Sequence, residues 1–484
     1  MALVDKRVLL AGRRCHPYGW YAQHTPEEPP GPGLQWRFHQ GAEIGARARE
    51  AFGGGPQLPR APLDRALRAT EEAVRLGGDV LLFEASFRWG DLVARADALR
   101  RSNGGWTVIE VKSGKSTDDG SVKDEYLDDV SYTVCVAQRA GLRIDGVALV
   151  LVNRDFRLGG TTPLLTEVDV TEAAMRRAAE IAVDAREIAA AVQAEERPAP
   201  GLSYKCRACE IFDTECLGVG VPDPLFVLPR LSEKRFEELR SYERVSQIPA
   251  GAKLTPTQER IADVIRSGQP VLEDGLRVLD DIVWPAQYLD FEAVSPCVPW
   301  FEGRPPYDPV PFQYSLHLLP SADAVPEHWE YLAPAIGDWR RELTERLLQD
   351  LGTAGSIVVY SSYEKTRLNA LAELYPDLQL RLQAVVARLF DLERIFKNGY
   401  CHPGFAGSTS IKKVLPVMVE GLGYDDLGVR NGEDAAGVFA LMRVGKYPTG
   451  EHEAWRQGLL EYCGLDTMAM VRLHQVLLGI RARI

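Results

Sequence analysis

Two runs of strand-forming residues, joined by a short polar turn, lie between positions 93 and 113. The turn contains Asn103-Gly104, a dipeptide that favours a tight hairpin because both residues tolerate the positive φ of a type I′ turn. Side chains alternate along a strand, so Glu110 and Lys112 are predicted to share one face. Asp97 is expected to approach them from the neighbouring antiparallel strand.

The predicted hairpin brings together the groups that a metal-dependent hydrolase needs. Asp97 and Glu110 supply carboxylate oxygens, which are the ligands that Mg²⁺ and Mn²⁺ prefer. Lys112 places an ammonium group beside the water molecule that such a cation activates. The pattern therefore indicates phosphodiester hydrolysis, and the structural alternative is a surface hairpin with an ordinary Glu–Lys pair.

Asp97 followed by Glu110-x-Lys112 resembles the core of the PD-(D/E)XK nucleases, and in particular their RecB-like branch. The resemblance implies a restriction-endonuclease-like α/β domain. In that domain Asp97 and Glu110 would bind the metal ion, and Lys112 would position or activate the attacking water.

The segments on either side of the hairpin contain further candidates. RecB-like nucleases often carry a histidine ligand on the preceding helix, but Gly45 occupies the matching position here. Glu43 or His39 on the same helix could replace it, and Glu84 in an apolar strand could face the same site. Tyr126 or Tyr132, on a helix predicted over 122–140, could contact the nucleic acid. An ordinary structural role is the alternative for each of these side chains.

Four of the eight cysteines have a spacing that is typical of a metal or cluster site. Cys206, Cys209 and Cys216 form a C-x2-C-x6-C triplet, while Cys15 lies near the start of the chain. In a cytoplasmic protein such a triplet more often binds a metal than forms disulfides.

This cysteine arrangement, with the hairpin between its two parts, resembles the four-cysteine RecB-like nucleases, which include CRISPR-associated and AddB-type members. The resemblance covers residues 1–218 and implies that the four thiolates hold a [4Fe-4S] cluster. A zinc ion bound by the same four cysteines is the alternative.

A second group of acidic residues lies in the C-terminal part of the chain. Asp290 and Glu292 are two residues apart in a predicted strand, so they share a face and repel each other unless a cation neutralises them. Glu364 follows a second apolar strand at the start of a helix. Tyr462 and Asp466 are four residues apart in a predicted C-terminal helix and lie on one face of it.

These motifs, in this order, resemble the DEDD exonucleases of the ribonuclease H-like fold, a family that includes the proofreading domains of polymerases. The resemblance covers about residues 285–484 and implies that the four acids bind two metal ions while Tyr462 orients the attacking water. The third acid is normally Asp, whereas Glu364 occupies its position here. Residues 407–413 also resemble the segment that connects the last two motifs of the family.

Composition and patterning limit the other possibilities. A net charge of −12 over 484 residues argues against a protein that coats nucleic acid generally, because duplex affinity comes mostly from Lys and Arg on phosphates. No apolar run is long enough to span a bilayer, so a cytoplasmic location without a membrane partner is expected. Residues 219–284 are interrupted by prolines, with Thr255 as a candidate N-cap before Pro256, and are interpreted as a helical connector.

The sequence therefore predicts an α/β protein with three parts: a RecB-like nuclease domain with an iron-sulfur cluster over 1–218, a helical connector over 219–284 and a DEDD exonuclease domain over 285–484. The expected function is metal-dependent processing of DNA ends, single-stranded or frayed, with 3′–5′ exonuclease activity at the second site. An RNA exonuclease is one alternative, and a nucleic-acid-binding scaffold with one inactive nuclease domain is the other. Further DNA-processing proteins are expected partners, in repair, antiviral defence or CRISPR spacer acquisition.

Overall fold

The computed structural model describes residues 3–76, 81–102, 104–272, 274–424 and 427–483. The chain divides into two compact units, each built from several segments. The first unit comprises Met1–Pro29, Arg37–Gly201 and Pro296–Asp308, and the second comprises Pro30–Trp36, Leu202–Ser295 and Pro309–Ile484. The predicted α/β class is confirmed at this level, because the protein is mixed α/β and its sheets are mixed.

The sheet of the first unit has five strands in sequence order. These are β1 (Leu81–Trp89), β2 (Leu92–Ser102), β3 (Gly105–Lys115), β4 (Ile144–Val152) and β5 (Leu165–Asp169). β3 and β4 are parallel, and the other neighbouring pairs are antiparallel. A parallel pair requires a crossover connection, and a helix between β3 and β4 supplies it.

Six helices accompany this part of the chain. They are α1 (Lys6–Arg14), α2 (His16–His24), α3 (Pro32–Ala51), α4 (Leu63–Leu76), α5 (Asp124–Arg139) and α6 (Thr171–Val192). The crossover helix is α5, and its buried residues join a large apolar core with strand residues of β1 to β4. The predicted helix that carries Glu43 and Gly45 is confirmed as α3, and the helix predicted over 122–140 is confirmed as α5.

The predicted hairpin is present as β2 and β3. Its antiparallel register pairs Ala98 with Ile109 and Ser102 with Gly105. Asn103, on which the turn prediction depends, lies outside the described residues. Along β3, Val108 packs in the large core and Ile109 packs in a separate apolar cluster, so the predicted alternation of faces is confirmed.

The second unit contains a five-stranded sheet in the order β11-β10-β7-β8-β9 and a small ladder of β6 with β12. The strands are β6 (Val271–Leu272), β7 (Ala286–Val294), β8 (Val310–Leu319), β9 (Glu327–Leu332), β10 (Ile357–Val359), β11 (Leu389–Asp391) and β12 (Tyr400–Cys401). β7, β8 and β9 form an antiparallel meander, whereas β10 is parallel to both β7 and β11. The central strand β7 carries the D-x-E motif.

The helices of the second unit are mostly short until the last. They are α7 (Phe212–Glu215), α8 (Glu233–Leu239), α9 (Pro256–Ser267), α10 (Arg340–Asp350), α11 (Tyr363–Leu374), α12 (Gln379–Ala387), α13 (Glu393–Asn398), α14 (Ile411–Met418), α15 (Gly432–Arg443) and α16 (His452–Arg481). Short 3-10 helices occur at Tyr204–Ala208, Leu225–Val227, Arg240–Tyr242, Val245–Gln247, Asp274–Asp281, Pro403–Phe405 and Thr449–Glu451. α16 packs on β7 and β8, and Leu459 and Leu473 are among its buried residues.

The predicted start of α9 is confirmed in detail. Thr255 accepts a hydrogen bond from the backbone N–H of Gln258, whose side chain in turn accepts one from the Thr255 N–H. Pro256 occupies the first position, where its missing N–H costs nothing, and Gly268 ends the helix in the left-handed conformation. This helix lies in the predicted connector, and the structure places it in the second unit.

No helix within the described ranges is long and apolar enough to cross a membrane.

Candidate functional site

Three carboxylates of the second unit lie close enough together to hold a metal ion. Oxygen atoms of Asp290, Glu292 and Asp466 all lie within 4.8 Å of one another. Glu292 and Asp466 are buried and Asp290 is half-buried. Two full negative charges at this separation repel by about 3 kcal/mol at an effective dielectric constant of about 20, so the arrangement requires protons or a cation.

Two elements bring these acids together. Asp290 and Glu292 lie on one face of β7, opposite Ser315 and Gln313 of β8, and the pairing shifts by one residue immediately after Glu292. Asp466 reaches the same place from α16, which packs against β7. The strand period of two and the packing of one long helix are therefore sufficient to form the group.

The surroundings raise the pKa values of all three carboxyls. Burial, with repulsion from Asp466, raises the pKa of Glu292 to about 8. Desolvation and the charges of Asp466, Glu364 and Glu292 raise the pKa of Asp290 well above its ordinary value. Burial also raises the pKa of Asp466, although hydrogen bonds from Tyr424 and Tyr462 and the charge of Lys412 oppose this.

Glu364 lies at the start of α11, as predicted, and is buried. It is outside the group of three within 4.8 Å, but its charge contributes to the raised pKa of both Asp290 and Glu292. Burial raises the pKa of Glu364 itself to about 7, and its Oε2 atom has no hydrogen-bond partner among the described residues. A buried carboxylate oxygen without a hydrogen-bond partner is suited to bind a metal ion.

Two tyrosines and a lysine complete the site. The hydroxyl of Tyr424 donates to Asp466 Oδ1 at 2.6 Å, and interaction with Tyr462 also lowers the pKa of Asp466. Lys412 Nζ lies 5.1 Å from the ring centroid of Tyr424 and 5.2 Å from that of Tyr462. Its charge lowers the pKa of Glu292. The single ammonium group offsets only part of the negative charge of the acids.

The first unit contains the second candidate site. Asp97 on β2 accepts a hydrogen bond from the backbone N–H of Val111 through Oδ2, at 2.8 Å. Glu110 on β3 is buried. Its burial, together with a smaller effect of repulsion from Asp97, raises its pKa to about 7. Within the described chain, Glu110 Oε2 has no hydrogen-bond partner. The carboxylates of Asp97 and Glu110, which were predicted to lie near each other, therefore interact electrostatically.

Lys112 belongs to a network of four charges around Glu110. Glu110 Oε1 accepts hydrogen bonds from Lys112 Nζ at 3.0 Å and from Lys6 Nζ at 2.8 Å, and both lysines also contact Asp129. Burial lowers the pKa of Lys112, but attraction to Glu110 and Asp129 outweighs it and raises the pKa above its ordinary value. Lys112 is therefore held as an ammonium group beside Glu110.

The other candidates around this site have distinct surroundings. Glu43 pairs with Arg47 along α3 at 3.1 Å, whereas Gly45 lines a cavity of about 510 Å³ that Asp97 also lines. Tyr132 is fully buried and its hydroxyl donates to the carbonyl of Val93, so it has a structural role.

The remaining candidates of the first unit are Tyr126 and Glu84. Tyr126 is half-buried, and its hydroxyl lies against Gly114, where a Cβ would be only 2.0 Å from it. Glu84 lines the same cavity as Asp97, as predicted.

Several residues of the two candidate sites have no signature in the sequence. Lys6 lies 104 residues before Glu110, at the start of α1, and no periodicity links the two. Asp129 is an ordinary acidic position on α5, and Tyr424 lies in a loop rich in glycine. Lys412 lies in segment 407–413, which resembles the connecting segment of the DEDD family, but its sequence position predicts no individual role. Only the three-dimensional arrangement identifies these residues.

The four predicted cluster cysteines lie in two places. Cys15 separates α1 from α2 in the first unit, and the triplet belongs to the second unit. Cys206 and Cys209 are joined by a tight turn in which the N–H of Cys209 donates to the carbonyl of Cys206 at 3.1 Å. Cys216 follows α7, and all four side chains are half-buried. The cluster itself stays a prediction.

Comparison with known proteins gives one partial match. No curated protein matches the chain. A family described as a domain of unknown function, DUF2779, matches residues 287–410. The matched segment contains Asp290, Glu292 and Glu364 and ends before Tyr424 and Asp466. Over these residues the chain is similar to an uncharacterised family.

Proposed function

We propose that this chain is a metal-dependent nuclease with two separate hydrolytic sites, one in each unit. The observation that carries the proposal is the group formed by Asp290, Glu292 and Asp466, whose oxygens lie within 4.8 Å and whose pKa values are all raised. Strongly perturbed carboxyls on adjacent elements are typical of a catalytic metal site. The order of these acids along the chain supports a DEDD exonuclease with a ribonuclease H-like fold.

In the second unit, Asp290, Glu292, Asp466 and Glu364 would hold the metal ions. When bound, Mg²⁺ or Mn²⁺ would activate a water molecule and polarise the scissile phosphate. Tyr424 holds the Asp466 carboxylate in place through its 2.6 Å hydrogen bond. Tyr462, on the same helix face as Asp466, would hydrogen-bond the attacking water and orient it toward the phosphorus atom.

In the first unit, Asp97 and Glu110 would hold a metal ion in a site of the RecB-like PD-(D/E)XK type. The free Oε2 atom of Glu110 fits this use, because a buried carboxylate oxygen without a partner is satisfied by a cation. Lys112 would bind the attacking water or stabilise the charge that develops on the phosphate. Lys6 contributes a second ammonium group at the same carboxylate.

DNA ends, single-stranded or frayed, are the proposed substrate. Both resembled families act on ends, and a protein with a net charge of −12 is suited to local contacts with a strand better than to coating a duplex. RNA is the alternative substrate. Matched DNA and RNA oligonucleotides, labelled at the 5′ end, distinguish the two by direct comparison of cleavage rates.

A second function is favoured for the first unit by two observations. Glu110 Oε1 is already engaged by two lysines, and glycine occupies the position where the family often carries a histidine ligand. Both features weaken metal binding relative to an all-acid site. The first unit would then bind the strand while the second unit cleaves it.

Four cysteines are the proposed ligands of a [4Fe-4S] cluster. Thiolates, and not thiols, bind iron, and burial in apolar surroundings raises the pKa of Cys135 to about 11 and that of Cys297 to about 12. Cys15, Cys206, Cys209 and Cys216 are half-buried and therefore more accessible to a metal than these two buried cysteines. Zinc is the alternative metal for the same four thiols.

Two substitutions test whether the sites act separately. Lys112→Ala is expected to abolish one nuclease activity and Asp290→Ala the other, because the two residues share no partners among the described residues and lie in different units. The measurement is cleavage of single-stranded and frayed duplex DNA by each variant with Mg²⁺ or Mn²⁺. Loss of all cleavage in Asp290→Ala, with strand binding retained, would identify the first unit as a binding module.

Metal analysis tests the cysteine site. Anaerobically purified protein is expected to be brown and to contain about four iron atoms per chain. Cys206→Ser should remove the colour and reduce solubility, whereas Cys401→Ser, a control at another half-buried cysteine, should retain both. Stoichiometric zinc without iron would contradict the iron-sulfur proposal.

A further inference from the structure

Glu84 has an unusual backbone conformation in the middle of β1. Its φ is +64°, in the left-handed region that residues other than glycine seldom adopt within a strand. Leu82 and Ala85 both pack in the large core of the first unit, although residues three apart on a regular strand face opposite sides. The strand is therefore irregular at Glu84, and such local strain is often found at functional sites.

Asp97 lies directly across from this irregular residue. The antiparallel register pairs Phe83 with Ala98 and Ala85 with Ala96, which leaves Glu84 and Asp97 opposite each other. Both side chains line the cavity of about 510 Å³. The irregular position therefore presents an acidic side chain to the same cavity as a predicted metal ligand.

Arg60 is the partner of Glu84. Its Nη2 donates to Glu84 Oε1 at 2.5 Å, and it also lines the cavity. The Glu84 side chain is 5% exposed, whereas the Arg60 side chain is 60% exposed. A buried carboxylate thus holds a guanidinium group whose other N–H donors face the cavity and solvent.

The backbone that carries Arg60 is anchored to the sheet. The N–H of Leu58 donates to the carbonyl of Phe83 at 3.0 Å, and the N–H of Phe83 donates to the carbonyl of Pro56 at 2.9 Å. Arg95 Nη2 donates to the Arg60 carbonyl, also at 3.0 Å. These contacts place the Arg60 side chain at the cavity without burying it.

We propose that Arg60 binds a phosphate group of the nucleic-acid strand at the first site and that Glu84 is the residue that positions it. The inference rests on the proposed nuclease function of Asp97, Glu110 and Lys112. A guanidinium group binds phosphate oxygens in a planar, two-pronged geometry, and this geometry depends on a constrained orientation. Arg49 lines the same cavity and adds a second guanidinium group there.

The test uses full-length protein in which Asp290→Ala silences the second site. In this background Arg60→Ala should raise the KM of the first site about 10-fold with little change in kcat, because it removes binding shared by substrate and transition state. Strand affinity should also depend less on salt, with the slope of log K against log [salt] smaller by about 0.7 for one lost phosphate contact. Arg88→Ala is the control. It removes an exposed arginine of β1 whose side chain donates to the Gly90 carbonyl, and it should change neither KM nor the salt slope.

Glu84→Gln distinguishes a positioning role from metal binding. It should raise KM as Arg60→Ala does and leave the Mg²⁺ concentration for half-maximal rate unchanged. The double variant should be no worse than Arg60→Ala alone, because Glu84 acts through Arg60. A higher metal requirement in Glu84→Gln, or an unchanged salt slope in Arg60→Ala, would overturn the inference.

The same experiment separates this inference from the nuclease proposal. If the Asp290→Ala protein shows no cleavage that depends on Lys112, the proposed function of the first unit fails. If that cleavage is present and Arg60→Ala leaves KM and the salt slope unchanged, only the phosphate contact of Arg60 fails.

Discussion

Tyr462 and Tyr424 both lower the pKa of Asp466, but they should affect catalysis differently. Tyr462→Phe removes a hydroxyl that would orient the attacking water, so the rate of 3′-end degradation should fall by about 10²-fold. The metal requirement should stay the same because Asp466 keeps its bond from Tyr424. Rates at saturating Mn²⁺ and at limiting Mg²⁺ measure both effects.

Tyr424→Phe is the matched control, since it removes the same atom from the other ring. This change releases Asp466 Oδ1 from its 2.6 Å hydrogen bond and should raise the metal requirement more than it lowers the maximal rate. Unchanged degradation by Tyr462→Phe under both metal conditions would show that Tyr462 only packs in the core, where it is 3% exposed.

At the level of residues, the sequence predicted those site members that have a local signature. Asp290 and Glu292 follow the strand period, and Tyr462 and Asp466 follow the helix period, so spacing alone placed each pair on one face. Lys6, Asp129 and Arg60 reach their partners across long sequence separations and have no such signature. Their roles depend on packing, which a pattern within one element does not report.

At the level of elements, the loop before α14 provides a test of how Lys412 is placed. Gly407 has a φ of +72°, and a Cβ added to it would lie 1.9 Å from the carbonyl oxygen of Val227. An alanine in the left-handed conformation costs about 1 kcal/mol. Gly407→Ala should destabilise the second unit by more than this, because the added Cβ would also clash with Val227. It should also lower activity at the second site, because Lys412 follows this loop.

Gly421→Ala is the control for the backbone conformation alone. Gly421 has a φ of +76°, and a Cβ there would meet no atom within 4 Å. Thermal unfolding of both variants gives the comparison, and equal losses of stability would show that the contact with Val227 is unimportant.

Elements with strong local signals were predicted well, and irregular positions were not. The helix α9 has a capping box, a proline at its first position and a glycine at its end, and the structure contains all three features. The left-handed backbone of Glu84 interrupts β1 at a residue type that gives no warning of it. This irregularity arises from the surrounding tertiary contacts, which override the preference of a single glutamate.

At the level of the whole molecule, stability should depend on pH in opposite ways with and without metal. The pKa of Glu292 is raised to about 8 and that of Glu364 to about 7, above the ordinary value of 4.5. Between about pH 4.5 and pH 8 the metal-free folded state therefore binds more protons than the unfolded chain. The free energy of unfolding contributed by these groups falls as pH rises through this window.

Divalent metal should reverse this trend, because metal ions bind the deprotonated carboxylates. The rise in Tm caused by saturating Mg²⁺ is expected to be larger at pH 8.5 than at pH 5.5. Glu292→Gln isolates the effect: in EDTA its Tm should match the wild type at pH 5.5 and exceed it at pH 8.5. A difference between the two proteins that does not vary with pH would contradict the raised pKa of Glu292.

The domain boundaries were the hardest feature to predict from the sequence. The predicted divisions after residues 218 and 284 were placed between motifs. In the structure each unit also contains a short segment from elsewhere in the chain. Residues 30–36 and 296–308 are too short to contain a motif. Sequence patterning therefore indicated the order of the candidate sites without indicating which short segments belong to which unit.

The segment Pro296–Asp308 leaves the second unit directly after the strand that carries Asp290 and Glu292, joins the first unit, and returns as β8. Within the first unit Tyr307 donates a hydrogen bond to the carbonyl of Ser113, next to Lys112, and Cys297 donates its N–H to Gln40 at 2.6 Å. A gene fragment that ends at codon 218 or codon 284 would therefore encode a first unit without these bonds. Since no single cut separates the two units intact, the two candidate activities are expected to be inherited, expressed and lost together.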